Sequence, residues 1–391
     1  MKRSMVTVMF VTPLLKLMSD KQASDLFFSA GAPIQIKING VIMPVNGQVL
    51  DPEQVKRICY ELMNEFQVKE FESTHEMNFA QSGGELGNFR VNIFRQKNTV
   101  AMVIRFIQPE VPAIESLGLP PILKEIIMEK LGLILVVGST GSGKSTTMAS
   151  MIDYRNGIKS GHILTIEDPI EFVFRHKKSL VNQREVRVDT QSYESALINA
   201  MREAPDLLML GEIRDRSTLQ TALLFAQTGH LCLSTLHANN SYNALNRIIS
   251  FFPREAREAL LADLALSLRA VISQRLVRTV DGSRIPAMEV LLNTKHIQDL
   301  IKTGEIGQIK EALERSLAPG SQSFEQALYF LITSGKVAID EAMANSDSPT
   351  NLHWLLTNAP KGAEVDAAQL TTGKQPGDDI TSIKLNLDAL G

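Results

Sequence analysis

The 391-residue sequence has few cysteines, a charge balance close to neutral and no long apolar run. Its two cysteines, Cys59 and Cys232, lie far apart, which excludes a cluster of closely spaced metal-binding thiols and predicts two structural thiols in a reducing compartment. A net charge of −3 gives no support for electrostatic binding of nucleic acid, so we expect no nucleic-acid partner. No segment reaches the roughly 18 consecutive apolar residues that a membrane-spanning helix needs.

The N-terminus has a basic start and an apolar stretch, as signal peptides do. Pro13 and Lys16 interrupt that stretch, and the polar segment 19–22 offers no small-residue cleavage site. We therefore expect a cytoplasmic protein, and any contact that it makes with a membrane must be peripheral.

The chain divides into four parts by pattern. Residues 1–108 mix alternating strands with helical spacing, which is typical of an α+β domain. Prolines cluster in 109–121 and predict an extended linker. Residues 122–345 alternate strands and helices around a mainly parallel sheet, and their C-terminal part is predicted to be helical. Residues 346–391 are polar and interrupted by proline and glycine, which predicts a flexible tail.

In the third part, the predicted strands cover residues 133–137, 162–166, 207–210 and 231–235. The spacing of apolar residues in 254–275 predicts one long helix.

A complete G-x-x-x-x-G-K-S phosphate loop follows the first of these strands. A strand, a glycine-rich turn and a helix start surround a phosphate with backbone N–H groups at the positive end of the helix dipole. Lys144 is expected to reach the β- and γ-phosphates, and the Ser145 hydroxyl to ligate Mg²⁺. The sequence thus predicts a nucleoside triphosphate site built from Gly138, Ser139, Thr140, Gly141, Ser142, Gly143, Lys144, Ser145 and Thr146.

Acidic residues follow two more of the predicted strands. Glu167, Asp168 and Glu171 come directly after one strand, where ligands bind in open α/β sheets. Another strand ends in Glu212, with Gly211 at the position where most phosphate-loop enzymes place a metal-binding Asp. The pattern favours positioning of metal and water, and a solvated acidic loop is the alternative for the first group.

Two histidines flank the last of these strands. Since His230 and His237 are seven residues apart, strand alternation places them on opposite faces and argues against a shared metal site. His237 follows the carboxyl end of the strand and is a candidate sensor of the γ-phosphate. His230 is a candidate nucleotide-binding residue, with a purely structural role as the alternative.

Together these four segments resemble the secretion/pilus ATPase superfamily, and within it the type IV pilus retraction motors. Residues 165–171 look like the family's Asp box, 207–212 like its Walker B motif and 229–237 like its His box. The resemblance covers roughly residues 24–335. It implies an N-terminal PAS-like domain and a RecA-like ATPase domain, in a homohexameric ring that binds ATP and Mg²⁺ between the two.

The resemblance also implies roles for single residues. Glu171 matches the general base that activates water, and Glu212 matches the Mg²⁺-linked Walker B glutamate. Arg90 and Arg105 match arginines that family members aim at the γ-phosphate, while a solvated or paired strand residue is the alternative for each. His237 is grouped with these catalytic candidates.

Two features favour the PilU-like branch of the retraction motors over the PilT-like branch. Residues 295–302 keep the apolar spacing of a PilT-type motif but lack its two arginines and terminal glutamate, and the chain extends past that domain. The expected function is ATP hydrolysis that drives or assists pilus retraction and twitching motility. The alternatives are a PilT-like primary motor, or an accessory protein that acts mainly by binding a partner retraction ATPase. The expected partners are that ATPase and an inner-membrane platform protein of the pilus.

Overall fold

The structure, a computed structural model, describes residues 8–38, 40–107 and 110–358, and within them the chain builds two separate β-sheets. The strands of the first sheet are β1 (Asp25–Phe28), β2 (Pro33–Ile38), β3 (Val41–Val49), β4 (Glu76–Ser82), β5 (Asn88–Gln96) and β6 (Thr99–Ile107). They pair antiparallel throughout, in the order β3-β2-β1-β6-β5-β4.

Helices of the N-terminal part pack on this first sheet. They are α1 (Val8–Asp20), α2 (Pro52–Leu62) and α3 (Glu65–Thr74). A capping box opens α2, in which the Asp51 carboxylate accepts from the Gln54 backbone N–H at 2.8 Å. The buried residues Val55, Ile58 and Cys59 of α2 belong to the same apolar core as the strands.

The second sheet has seven strands among the described residues, and its order is β13-β12-β7-β11-β10-β8-β9. The strands are β7 (Gly132–Val137), β8 (Gly161–Glu167), β9 (Ser179–Glu185), β10 (Leu207–Leu210), β11 (Leu231–Leu236), β12 (Leu268–Arg278) and β13 (Arg284–Leu292). All neighbours are parallel except β12 and β13. The four predicted strands and the mainly parallel sheet are confirmed.

Helices cover both faces of this sheet, and as a result every residue of β7 and β11 is buried. They are α4 (Ile122–Ile126), α5 (Lys144–Ile158), α6 (Tyr193–Ala200), α7 (Arg216–Gln227), α8 (Ser241–Ser250), α9 (Arg257–Ser267), α10 (Lys295–Thr303), α11 (Ile309–Glu314), α12 (Phe324–Thr333), α13 (Ile339–Ala344) and α14 (Pro349–Asn358).

The single helix predicted over 254–275 is wrong. The helix α9 ends at Ser267, and the chain continues as β12, which pairs with β7. Pairing with β7 buries Val271 and Ile272 completely. This contact with the sheet overrides an apolar spacing that is also compatible with a helix.

The predicted linker packs against the second sheet's layer of helices. Residues Ile114–Leu117 form a 3₁₀ turn, and Ile114 is buried. The Ser150 hydroxyl of α5 donates to the Pro112 carbonyl at 2.7 Å. The segment is therefore held in place next to the helix that follows the phosphate loop.

The predicted flexible tail is wrong for residues 346–358, which are folded. Helix α14 lies in this stretch, and its Leu352 is completely buried beside Val277 and Leu328. The polar composition of the tail as a whole predicted disorder, although residues 352–356 form a short amphipathic patch in the sequence. The rest of the tail, 359–391, lies outside the described residues.

Within the described ranges, the chain has no helix that is both long and apolar enough to cross a bilayer.

Candidate functional site

The phosphate loop runs from the end of β7 at Val137 to the start of α5 at Lys144. Gly143 has a φ of 88°, in the left-handed region that favours glycine, and a Cβ there would lie 2.8 Å from the Gln274 side-chain nitrogen. At Gly138 a Cβ would lie 2.6 Å from the Gln274 carbonyl oxygen. Only glycine fits these two positions, because β12 lies directly against the loop.

Two polar groups of the loop are poised for a ligand. The Lys144 ammonium donates to the carbonyl oxygens of Gly138 and Ser139, at 3.0 and 2.8 Å. The Ser142 hydroxyl is buried and has no hydrogen-bond partner among the described residues. Burial lowers the pKa of Lys144, while Glu212 and Glu171 oppose that shift. The loop therefore holds a cation and an unsatisfied hydroxyl, as expected of a phosphate-binding turn.

A cavity of about 260 Å³, here called the phosphate cavity, joins residues from all four predicted segments. Its walls come from the phosphate loop, the acidic loop after β8, the end of β10 and the end of β11. These strands are parallel, so their carboxyl ends meet at one edge of the sheet. The predicted residues that line it are Thr140, Gly141, Lys144, Ser145, Asp168, Glu171, Glu212 and His237.

The two candidate glutamates have different surroundings. Glu212 accepts from Arg214 Nε at 2.7 Å and lies 3.3 Å from His237 Nε2. Glu171 is exposed, and its carboxylate makes no hydrogen bond within the part of the chain that the structure describes. Glu171 is therefore free to bind a water molecule, whereas Glu212 is held in one position.

Arg214 is a site residue that the sequence analysis missed. Besides its bond to Glu212, its Nη1 lies 4.0 Å from the Asp168 carboxylate, so Arg214 bridges Asp168 and Glu212. The bond to Glu212 is the main cause that raises the pKa of Arg214. A cation two residues beyond Glu212 was the available signal.

Glu167, the last residue of β8, helps to hold the acidic loop in place. Its carboxylate accepts from the Thr165 hydroxyl at 2.6 Å and from the Gln183 side-chain amide at 3.1 Å. Burial raises the pKa of Glu167 to about 7. Gln183 also donates to the Phe172 carbonyl at 2.8 Å, so β9 and Glu167 together fix the segment that carries Glu171.

At Gly211, the position where most phosphate-loop enzymes place an aspartate, a side chain would meet Tyr193. A Cβ at Gly211 would lie 2.7 Å from the Tyr193 hydroxyl oxygen and 3.4 Å from the Ile166 carbonyl oxygen. Tyr193 also lines the phosphate cavity, and burial raises its pKa. The tyrosine and the glycine thus form one packing unit at the end of β10.

We expect Gly211→Ala to lower the melting temperature by about 5 °C, because the methyl group forces Tyr193 and β8 apart. Gly47→Ala is the matched control, since a Cβ at Gly47 meets nothing within 4 Å. Thermal unfolding followed by circular dichroism measures both variants. Equal melting temperatures for the two would contradict the packing argument.

His230 does not line this cavity, and its role in nucleotide binding stays a prediction. It precedes β11, next to Gly132 at the start of β7, whereas the phosphate loop follows the far end of that strand. Its Nδ1 lies 3.2 Å from the Thr228 hydroxyl and 3.3 Å from the Phe225 carbonyl. These contacts fit the structural role that was considered as the alternative.

Arg90 and Arg105 lie on the first sheet and do not line the phosphate cavity. They face each other across β5 and β6. Arg105 Nε donates to the buried Asp25 at 2.9 Å, although the arginine side chain is 67% exposed. Arg90 is close enough to oppose the burial that raises the pKa of Glu185.

Two further cavities adjoin the phosphate loop. One of about 710 Å³, the large cavity, includes Gly143, Thr146 and Thr147 and extends along β12 and β13. Another of about 320 Å³, the side cavity, is lined by Gly138, Ser139, His237, Ala238, Asn239, Asn243 and Arg247. The loop thus separates the acidic phosphate cavity from a larger space on its other side.

The residues present fit Mg²⁺ bound together with phosphate. Within the described residues no group of three or more His, Cys, Asp or Glu side chains could hold a metal alone. Mg²⁺ usually takes one or two protein oxygen ligands and fills its other positions with phosphate and water. Ser145 and Glu212, both in the phosphate cavity, supply such oxygens.

Comparisons with known proteins show which family the chain resembles. The sequence pattern of the type II/IV secretion system proteins matches residues 2–288. The type IV pilus ATPase PilU of Pseudomonas aeruginosa is 48% identical over 360 residues, which cover 92% of this chain and 94% of PilU. The type IV pilus retractation ATPase PilT of the same organism is 39% identical over 343 residues, covering 88% of this chain and all of PilT. The crystal structure of the pilus retraction motor PilT with bound ADP matches with a TM-score of 0.82 at 40% identity, covering 88% of this chain and 99% of that one.

Proposed function

The chain belongs to the type II/IV secretion system protein family, and we propose that it is a type IV pilus ATPase that drives or assists pilus retraction and twitching motility. The observation that carries this proposal is the phosphate cavity, where a complete phosphate loop meets Glu171, Glu212 and His237. The identity with PilU, 48% against 39% for PilT, favours the PilU-like branch.

We propose that the nucleotide lies across the phosphate loop. The backbone N–H groups at the start of α5 then surround the β-phosphate, and Lys144 turns from the carbonyls of Gly138 and Ser139 to the phosphate oxygens. The γ-phosphate points into the phosphate cavity. The base and ribose extend past Thr146 into the large cavity, whose volume suits a nucleoside.

In the proposed mechanism, Glu171 accepts a proton from the water that attacks the γ-phosphate. Its exposed and unpaired carboxylate is available for this task, and Glu167 and Gln183 hold the loop that carries it. Mg²⁺, when bound by Ser145 and Glu212, neutralises charge on the phosphate oxygens. Arg214 and His237 keep Glu212 in place, and His237, which lines the same cavity, senses the γ-phosphate.

We propose further that the first sheet with α1 to α3 is a PAS-like domain and the second sheet with its helices a RecA-like domain, the two carrying ATP between them in a homohexameric ring. In the single subunit Arg105 is paired with Asp25 and does not line the phosphate cavity. Arg90 lies near Glu185, which accepts from the Ile170 backbone N–H of the acidic loop at 3.2 Å. These positions suit arginines that complete a site when domains or subunits close.

Arg90→Ala and Arg105→Ala should each lower kcat by about a hundredfold and change nucleotide affinity little, because a cation that arrives on closure acts on transition-state charge. Steady-state hydrolysis and titration with a fluorescent ATP analogue measure the two quantities. Arg95→Ala is the control, since Arg95 pairs with Glu72 at 2.6 Å on the same sheet. An arginine whose loss leaves kcat at the wild-type value has only a structural role.

The alternative is that the protein acts mainly by binding a partner retraction ATPase. As partners we propose a retraction ATPase and an inner-membrane platform protein, and we propose that contact with the membrane is peripheral. Hydrolysis measured on the purified protein alone, and mixed with a retraction ATPase of the same cell, tests the choice. Turnover by the protein alone supports a motor. No turnover alone, together with a mixture that hydrolyses ATP faster than the partner does by itself, supports the accessory role.

A further inference from the structure

The chain segment that precedes α14 is tied to the connection after β11. Arg275 of β12 donates from Nη1 to the Asn345 carbonyl at 2.6 Å and from Nη2 to the Asp347 carboxylate at 2.5 Å. The same Nη2 donates to the Asn239 carbonyl at 3.2 Å. The Asn240 side-chain amide donates to the other Asp347 oxygen at 2.8 Å. We call Arg275 and Asp347, with these bonds, the C-terminal clamp.

The C-terminal clamp is largely shielded from water. The side chains of Arg275 and Asp347 are only 20% and 17% exposed, and Asn240 is buried. The Arg275 guanidinium also lies over the Phe324 ring, 4.0 Å from its centroid. Loss of one charged partner would leave the other charge poorly solvated, so the remaining groups would have to move.

The connection held by the clamp carries His237. Residues 237–240 join β11 to α8, and His237 at their start lies 3.3 Å from Glu212. At the end of the connection, the buried Glu289 accepts from the Ser241 backbone N–H at 2.7 Å and fixes the start of α8. Between these two fixed ends, the clamp supplies the contacts to Asn239 and Asn240.

Strand β12 brings the clamp next to the phosphate loop. Gln274, the residue before Arg275, accepts from the Thr147 hydroxyl of α5 at 2.7 Å and lies against Gly138 and Gly143. Adjacent residues of a strand point to opposite faces, so Gln274 contacts the phosphate loop while Arg275 reaches the C-terminal segment. The side cavity is lined by Gly138 of the phosphate loop and Asn239 of the connection, among others.

We propose that Arg275 and Asp347 are positioning residues for ATP hydrolysis, which hold residues 237–240 so that His237 stays against Glu212. The inference rests on the proposed function of the phosphate cavity. It makes the segment around Asp347, outside every nucleotide motif of the sequence, part of the catalytic unit.

Hydrogen exchange of the full chain tests the clamp without relying on activity. In Asp347→Ala, amide exchange in a peptide that covers 237–240 should become about tenfold faster, because the connection loses its central support. Asp347→Glu should restore most of the protection. In the same variants kcat should fall about tenfold for Asp347→Ala, with the affinity for a fluorescent ATP analogue changed less than about twofold.

Asp299→Asn is the matched control, because Asp299 pairs with Lys295 on the surface of α10 and contacts neither the clamp nor the cavities. It should leave exchange and kcat unchanged. Wild-type exchange at 237–240 in folded Asp347→Ala would overturn the inference, as would a fall in nucleotide affinity equal to the fall in kcat.

Two further measurements cover the remaining cases. If Asp347→Ala does not fold, Arg275→Lys keeps the charge but loses the forked contacts, and the same faster exchange is expected. Unaltered exchange in Arg275→Lys would then overturn the clamp. If the wild-type protein hydrolyses no ATP, the proposed function fails, and the exchange result alone decides whether the clamp holds the connection.

Discussion

Replacing Lys144 with alanine should lower ATP hydrolysis by about a thousandfold or more, because the variant loses the cation at the β- and γ-phosphates. The ammonium is half-buried and bonds only to the carbonyls of Gly138 and Ser139 among the described residues, so the fold does not depend on it for a buried ion pair. We therefore expect a melting temperature close to that of the wild-type protein. Phosphate release by the purified variant measures the effect.

Lys295→Ala serves as the control for a lost lysine, since Lys295 lies on the surface of α10 and pairs with Asp299. It should hydrolyse ATP at the wild-type rate. Normal turnover in a folded Lys144→Ala variant would contradict the assignment of the phosphate loop as the nucleotide site.

Glu171→Gln should bind ATP normally but lose hydrolysis by about 10²- to 10⁴-fold, as expected when a general base is removed. The substitution changes little else, because the Glu171 side chain is exposed and bonds to no other described residue. A fluorescent ATP analogue measures binding, and phosphate release under single-turnover conditions measures the chemical step.

Glu212→Gln is the informative comparison. It should lower the rate and also raise the Mg²⁺ concentration needed for half-maximal activity, because Glu212 is the carboxylate beside Ser145 that Arg214 and His237 hold. If Glu212→Gln loses only the chemical step and Glu171→Gln hydrolyses normally, the two roles are reversed.

The nucleotide motifs were readable in the sequence because their geometry is local. A phosphate loop needs glycines at fixed spacing, and its strand and helix follow directly in the chain. The carboxyl ends of parallel strands meet at one edge, so Glu171, Glu212 and His237 could be placed together from their positions after predicted strands.

Features that depend on distant contacts were not readable. Arg214 contacts Asp168 of the acidic loop as well as Glu212 because the fold pairs β10 with β8. The strand β12 forms because β7 offers an unpaired edge, a fact that helical spacing in 254–275 does not contain. His230 contacts Phe225 and Thr228, and these neighbours fit the structural role considered as its alternative.

The only tryptophan of the chain, Trp354, lies on α14 and is 61% exposed. Indole emission depends on contact with water, and Leu352 on the same helix is fully buried. Because the chain has one tryptophan, fluorescence excited selectively in the indole reports on α14 alone. A blue shift of that emission on mixing with a second protein would locate the contact at α14 without any label, and an altered signal on adding nucleotide would report that α14 responds to the bound state of the ATP site.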